Sequence, residues 1–177
     1  MILYHFSEDP TIARFVPRTM ETRPGEPARV WAIDEAHAPL YWVPRDCPRV
    51  TCWPGPGSTA EDIERLLGKP PARMVVAIEG AWLARLREAR LYAYLLPGEG
   101  FLALPPEQGS GYYVSFEPVE PLGIEPVGDL LARYVEAGVE LRIVPSLWPL
   151  RHAIVASTLD FGMIRMRNAR PEGSLAG

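Results

Sequence analysis

The chain has 177 residues, enough to bury a core without disulfide or metal staples, and its 47% hydrophobic and 23% charged content is ordinary for a globular chain. A net charge of −4 argues against generic nucleic-acid binding, and no apolar run approaches the roughly eighteen residues of a bilayer span. The first residues lead into a strand with no basic start or cleavage site, so the expectation is a cytoplasmic protein, with one globular domain over 1–169 and a disordered tail over 170–177.

Residues 1–7 read as a strand carrying His5, and Glu8-Asp9-Pro10 turns the chain out of it. Residues 11–15 suit one helical turn, followed by a proline-punctuated loop over 17–27. Residues 29–34 read as a second strand around Trp31. A short helix starts at Asp34-Glu35-Ala36-His37-Ala38, which Pro39 either enters or interrupts. Residues 49–53 form a strand, and Pro54-Gly55-Pro56-Gly57 is a flexible loop. Ser58-Thr59-Ala60-Glu61 matches a capping box ahead of Ile63, Leu66 and Leu67, giving a helix that stops at Gly68. An apolar strand over 73–79, a short helix around Trp82, Leu83 and Leu86, and a strand over 91–96 follow.

Residues 112–119 read as a late strand. With a period of two, Tyr112, Val114 and Phe116 face a core, and Tyr113, Ser115 and Glu117 face a cleft or solvent. Val127, Leu130, Leu131, Tyr134 and Val135 share the face of an amphipathic helix that Gly138 ends. A strand over 140–144, a helix over 148–156 with Pro149 in its first turn, and a strand over 161–167 complete an α+β or mixed α/β domain.

His5, Trp31 and Glu117 can converge only in the fold, and their pattern points to a cleft. Each also has a structural reading: a hydrogen-bonded histidine, a core tryptophan and a solvated glutamate. The cations are seventeen arginines and one lysine, Lys69, from codon bias or from a need for bidentate phosphate or carboxylate recognition. Arg45 and Arg49, flanking Asp46-Cys47-Pro48, form either an anion-binding corner or a salt-bridged turn. Cys47 and Cys52 suit free thiols in a reducing compartment. Their spacing does not suit a metal chelate, and His37 and His152 do not complete one, so no metal site is expected. Gly68-Lys69-Pro70 lacks the rest of a phosphate loop. No dinucleotide fingerprint or nucleophile elbow is present.

Two resemblances follow from particular motifs. Leu3-Tyr4-His5-Phe6-Ser7-Glu8, Trp31-Ala32-Ile33-Asp34, Pro44-Arg45-Asp46-Cys47-Pro48-Arg49 and Arg142-Ile143-Val144-Pro145-Ser146-Leu147-Trp148 resemble an uncharacterised family of small bacterial proteins, which brings no established activity. More remotely, residues 3–127 are similar to the ADP-ribosyltransferase-like fold. The matching features are the Tyr4-His5-Phe6-Ser7 strand, the Trp31-Ala32 strand leading into a short helix, the strand over 91–96, Gly100-Phe101, and the late strand from Tyr113.

That resemblance implies split sheets with short helices, a C-terminal helix-strand extension, and NAD as substrate. His5 would orient the ribose, Trp31 or Tyr41 would stack on nicotinamide, and Tyr113 would line the site. Arg45 or Arg49 would hold the pyrophosphate. Glu117 would stabilise the positive charge that develops as the N-glycosidic bond breaks. Two positions depart from the family pattern. Trp31-Ala32-Ile33-Asp34 replaces the usual second-strand motif, and Ser115 stands where an acidic residue or glutamine is usual. The alternatives are therefore a non-catalytic module binding a nucleotide or anion in the same cleft, and an accessory interaction protein.

Overall fold

The computed structural model describes residues 1–20, 25–105 and 109–174. Part of the loop expected over 17–27, and residues 175–177 of the expected tail, lie outside the described residues. The fold is mixed α+β with two sheets and a few short helices. Two compact units build it, one from Met1–Trp42 with Arg90–Gly128 and one from Val43–Ala89 with Asp129–Gly177.

The first unit is a six-stranded antiparallel sheet. Its strands are β1 (Ile2–Ser7), β2 (Val30–Ile33), β5 (Tyr92–Pro97), β6 (Leu102–Ala103), β7 (Tyr112–Ser115) and β8 (Gly123–Pro126), in the order β6-β7-β2-β1-β5-β8. Residues directly paired across strands share a face. Leu3 opposite Leu96, His5 opposite Tyr94, and Ala32 opposite Tyr113 therefore belong to one face. That face carries a core of Leu3, Val30, Ala32, Tyr94 and Leu96, with Phe15 and Phe101 packed on it. Tyr4 opposite Ile33 and Trp31 opposite Val114 belong to the other.

The second unit holds a four-stranded sheet, in the order β10-β3-β4-β9. The strands are β3 (Arg49–Trp53), β4 (Met74–Glu79), β9 (Val139–Val144) and β10 (Asp160–Ile164). β4 and β9 run parallel, and the other pairs are antiparallel. Four helices accompany it: α1 (Ala60–Leu67), α2 (Leu83–Glu88), α3 (Leu130–Glu136) and α4 (Trp148–Val155). Val50, Cys52, Val75 and Ala77 pack under Leu66 and Leu67 of α1 and Ile154 of α4. Both cysteines are free and buried. Burial pushes the Cys47 thiol up to about 12 and that of Cys52 to about 11, so neither is a ready nucleophile.

Several expected elements are corrected. No helical turn forms over 11–15. Instead Asp9 Oδ1 accepts from the Thr11 amide and hydroxyl, and Phe15 bridges to Val119 through paired 2.8 Å backbone bonds. Short polar side chains thus offer the backbone a local alternative to a helix. Pro39 enters its helix rather than interrupting it, at the start of a 3-10 turn over Ala38–Tyr41. Thr59, not Ser58, caps α1 by accepting from the Asp62 amide at 3.3 Å. Ser58 is engaged by the Gly55 amide and the Thr158 carbonyl. Asp129 caps α3 and starts it after Val127, and Val135, expected on the buried face, is 79% exposed.

The last strand stops at Ile164, opposite Arg49, because the next partner is Pro48, which has no N–H to donate. Arg165 then takes a left-handed conformation at φ 56°. Residue 170, expected in a disordered tail, is fixed on both sides of its backbone. Its amide donates to the buried Glu79 carboxylate at 2.9 Å, and its carbonyl accepts from Trp148 Nε1 at 2.7 Å.

Candidate functional site

β2 ends at Ile33, and the next residue turns the chain. Asp34 Oδ1 accepts from the His37 amide at 2.9 Å and meets His37 Nδ1 at 2.7 Å. A short carboxylate three residues before an amide closes this turn without help from the rest of the fold. The side chains are 27% and 17% exposed respectively. Burial raises the Asp34 carboxyl, but the hydrogen bonds from His37 and its charge outweigh that, and Asp34 sits below the usual carboxylate range. A carboxylate on Nδ1 fixes the ring orientation and makes Nε2 the nitrogen that exchanges protons.

The start of β7 completes the surroundings. The Asp34 amide donates to the Gly111 carbonyl at 3.0 Å. Gly111 lies so close to His37 that a Cβ there would fall 2.2 Å from Nδ1, and its φ is +79°. A side chain is therefore excluded twice, by contact and by backbone conformation. Gly109 approaches the Tyr112 ring in the same way, with 2.6 Å left for a Cβ. Tyr112 then receives the Tyr41 hydroxyl proton at 2.9 Å. Its ring meets Tyr41 and Trp31 nearly at right angles, with centroids 6.2 and 6.1 Å apart. An Asp–His pair thus stands at the end of a wall of Trp31, Tyr112 and Tyr41.

The seven residues singled out from the sequence are only partly brought together. Trp31 and Tyr41 both meet Tyr112 and share this wall. His5 and Tyr113 belong to the opposite face of the same sheet, with the core around Leu3 and Tyr94. His5 Nδ1 lies 2.9 Å from the Trp31 carbonyl, and because a carbonyl only accepts, Nδ1 carries the proton. The His5 ring lies 4.7 Å from that of Phe15. The strand expected to deliver Glu117 ends two residues earlier, because the Ser115 hydroxyl turns back to the Glu117 amide and carbonyl. Glu117 is exposed beyond it.

Arg45 and Arg49 belong to the second unit. Arg45 stands exposed in a turn, whereas Arg49 is 2% exposed and donates to the Cys47 carbonyl at 3.0 Å. The Arg49 charge also acts on Tyr134, whose hydroxyl burial pushes well above its ordinary range. Asp34, His37, Gly111 and Tyr112 were missed as a group. Asp-x-x-His before a proline is their local signal, and a Gly-Ser-Gly step before a tyrosine pair is their distant one.

A separate recess of about 320 Å³, lined by Arg90, Leu91, Tyr92, Pro126 and Gly128, holds none of these residues. Among the described residues, no three His, Cys, Asp or Glu side chains gather as a metal site, and no helix is long and apolar enough to cross a membrane. The model of a family of unknown function, DUF6886, matches residues 4–169. No curated protein and no solved structure matches the chain.

Proposed function

The chain belongs to the DUF6886 family, and we propose that it binds a ligand carrying a planar ring, of the nucleotide class, beside an acid–base pair. Trp31, Tyr112 and Tyr41 take the ring, and His37, oriented by Asp34, exchanges a proton with the bound ligand. The observation that carries this reading is the 2.7 Å Asp34–His37 contact, backed by a glycine that leaves room for nothing else. A partly exposed carboxylate–imidazole pair next to aromatic rings is where a polar group and a flat apolar surface of one ligand can be met together.

The resemblance to ADP-ribosyltransferases makes NAD the first compound to test and transfer of its ADP-ribosyl group the first reaction. Under that resemblance Glu117 and His5 would act on the ribose. The exposure of Glu117 and the placement of His5 on the opposite face from Trp31 favour a second reading, in which the domain binds without catalysing transfer.

Calorimetry with NAD, repeated on His37→Ala and Trp31→Ala, together with an assay for nicotinamide release, tests both. Binding weakened by about tenfold or more in either variant is expected, given the loss of a charge-assisted or aromatic contact. Release that stops in Glu117→Gln selects the transferase reading, and binding without release selects the binding module. Undiminished binding in both His37→Ala and Trp31→Ala overturns the site.

A further inference from the structure

The face that carries Trp31 also holds two arginines as cross-strand partners. Arg18 and Arg29 are partners in an antiparallel bridge, each amide donating to the other's carbonyl at 3.1 Å. Their side chains therefore leave on the same side, with Cβ atoms roughly 5 Å apart, a position in which like charges repel. Arg29 is the more enclosed, with 13% of its side chain exposed. Its guanidinium lies 5.8 Å from the centre of the Trp31 ring and 5.7 Å from that of Phe116. Glu26 meets it at 3.3 Å. Arg29 Nε is nevertheless buried and has no acceptor, a cost that an oxygen placed there would remove.

We infer that Arg18 and Arg29 form an oxyanion subsite, receiving a phosphate or carboxylate of the ligand whose ring lies along Trp31, Tyr112 and Tyr41. This rests on the proposed function and adds to it the charge of the ligand. An oxyanion neutralises the repelling pair and supplies the acceptor that Nε lacks, and planar guanidinium groups suit its geometry. The place is distinct from Asp34–His37. Five residues of extended chain, roughly 16 Å, separate Arg29 from Asp34, so the ligand is long, with its anion at one end and its proton-exchanging group at the other. Glu26 is the internal competitor, a carboxylate already seated on Arg29 and itself 39% exposed. It must give way or share when the ligand binds.

The test compares ligands that differ only in the anion. Adenosine 5′-monophosphate against adenosine is the phosphate arm, and nicotinate against nicotinamide is the carboxylate arm, each titrated calorimetrically into the full chain. The anionic member of one pair should bind about tenfold more tightly or better, the scale of a charge-assisted pair of hydrogen bonds. Arg18→Ala, at an exposed position, should abolish that preference. Arg29→Met, which keeps an apolar stem against Trp31 and Phe116, should do the same. Glu26→Gln should enlarge the preference, a result that a merely structural arginine would not give.

Which arm shows the preference identifies the oxyanion. If the neutral ligands bind as well as the anionic ones and His37→Ala still weakens them, the subsite is wrong and the proposed function stands. If none of the four binds, both readings fail.

Discussion

Where the sheet of Val43–Ala89 and Asp129–Gly177 buries a charged group, that group grips main chain. Arg49 donates to the Cys47 carbonyl, and Glu79 accepts from the amides of Leu147 and Arg170. Where the sheet of Met1–Trp42 and Arg90–Gly128 carries charge, it faces other side chains at partly open positions. Asp34 meets His37, and Arg29 meets Glu26, Trp31 and Phe116. The strands differ to match. β3 and β4 are buried along their whole length, whereas β2 and β7 mix buried residues with the half-buried aromatics Trp31, Tyr112 and Tyr113. Equal numbers of charges in a sequence can therefore mean scaffold in one place and chemistry in another. What separates them is whether the partner is backbone or side chain.

That contrast can be broken by substitution. The largest effect is expected for Glu79→Ala, which strands the buried Leu147 amide and the half-buried Arg170 amide that it now satisfies. A loss of about 3 kcal/mol in urea unfolding follows from hydrogen bonds to a charged acceptor, with NAD affinity unchanged in the folded fraction. A smaller loss, about 2 kcal/mol, is expected for Gly111→Ala, from a left-handed backbone forced on a residue with a Cβ and from the shift it imposes on His37. Here ligand binding should fall with stability, so a variant that binds normally would detach the Asp–His pair from the site.

The smallest effect concerns pH. The Asp34 carboxyl is depressed in the folded chain, so its contribution is complete above about pH 4, its ordinary range. That contribution is lost as pH falls through the lower folded value. In Asp34→Asn, the acid limb of the stability profile should be flatter than in the parent, measured by urea midpoints from pH 5 down to pH 2. An unchanged acid slope would show that the pair holds nothing together.

The legibility of the sequence follows the same divide. β3 could be read because Val50, Thr51, Cys52 and Trp53 favour a strand and prolines stand on either side of the run from Arg49. The bounds of α1 could be read because a capping residue precedes it and Gly68, at φ +88°, follows it. β7 was read four residues too long because alternation continues past Ser115, while the hydroxyl that ends the strand leaves no mark on periodicity. Trp31 was an aromatic candidate from its place on the second strand, and Tyr41 from the resemblance alone. Their common partner Tyr112 was assigned to a core, since one register decides the face and the strand's neighbours decide what lies on it. Asp34 and His37 were seen only as a helix start and a spare histidine. The turn they close is local, but Gly111, which makes room for the imidazole, arrives from a distant strand.

The Glu79 clamp also has a temporal side. β8, the last strand of the first unit, ends at Pro126, so that sheet has all its strands once the chain has left the ribosome that far. The second unit must wait. Glu79 ends β4, yet the amides of Leu147 and Arg170 that its oxygens accept from lie 68 and 91 residues further along. Domains settle as units during synthesis, so this carboxylate ties the settling of its sheet to a segment 91 residues further along the chain.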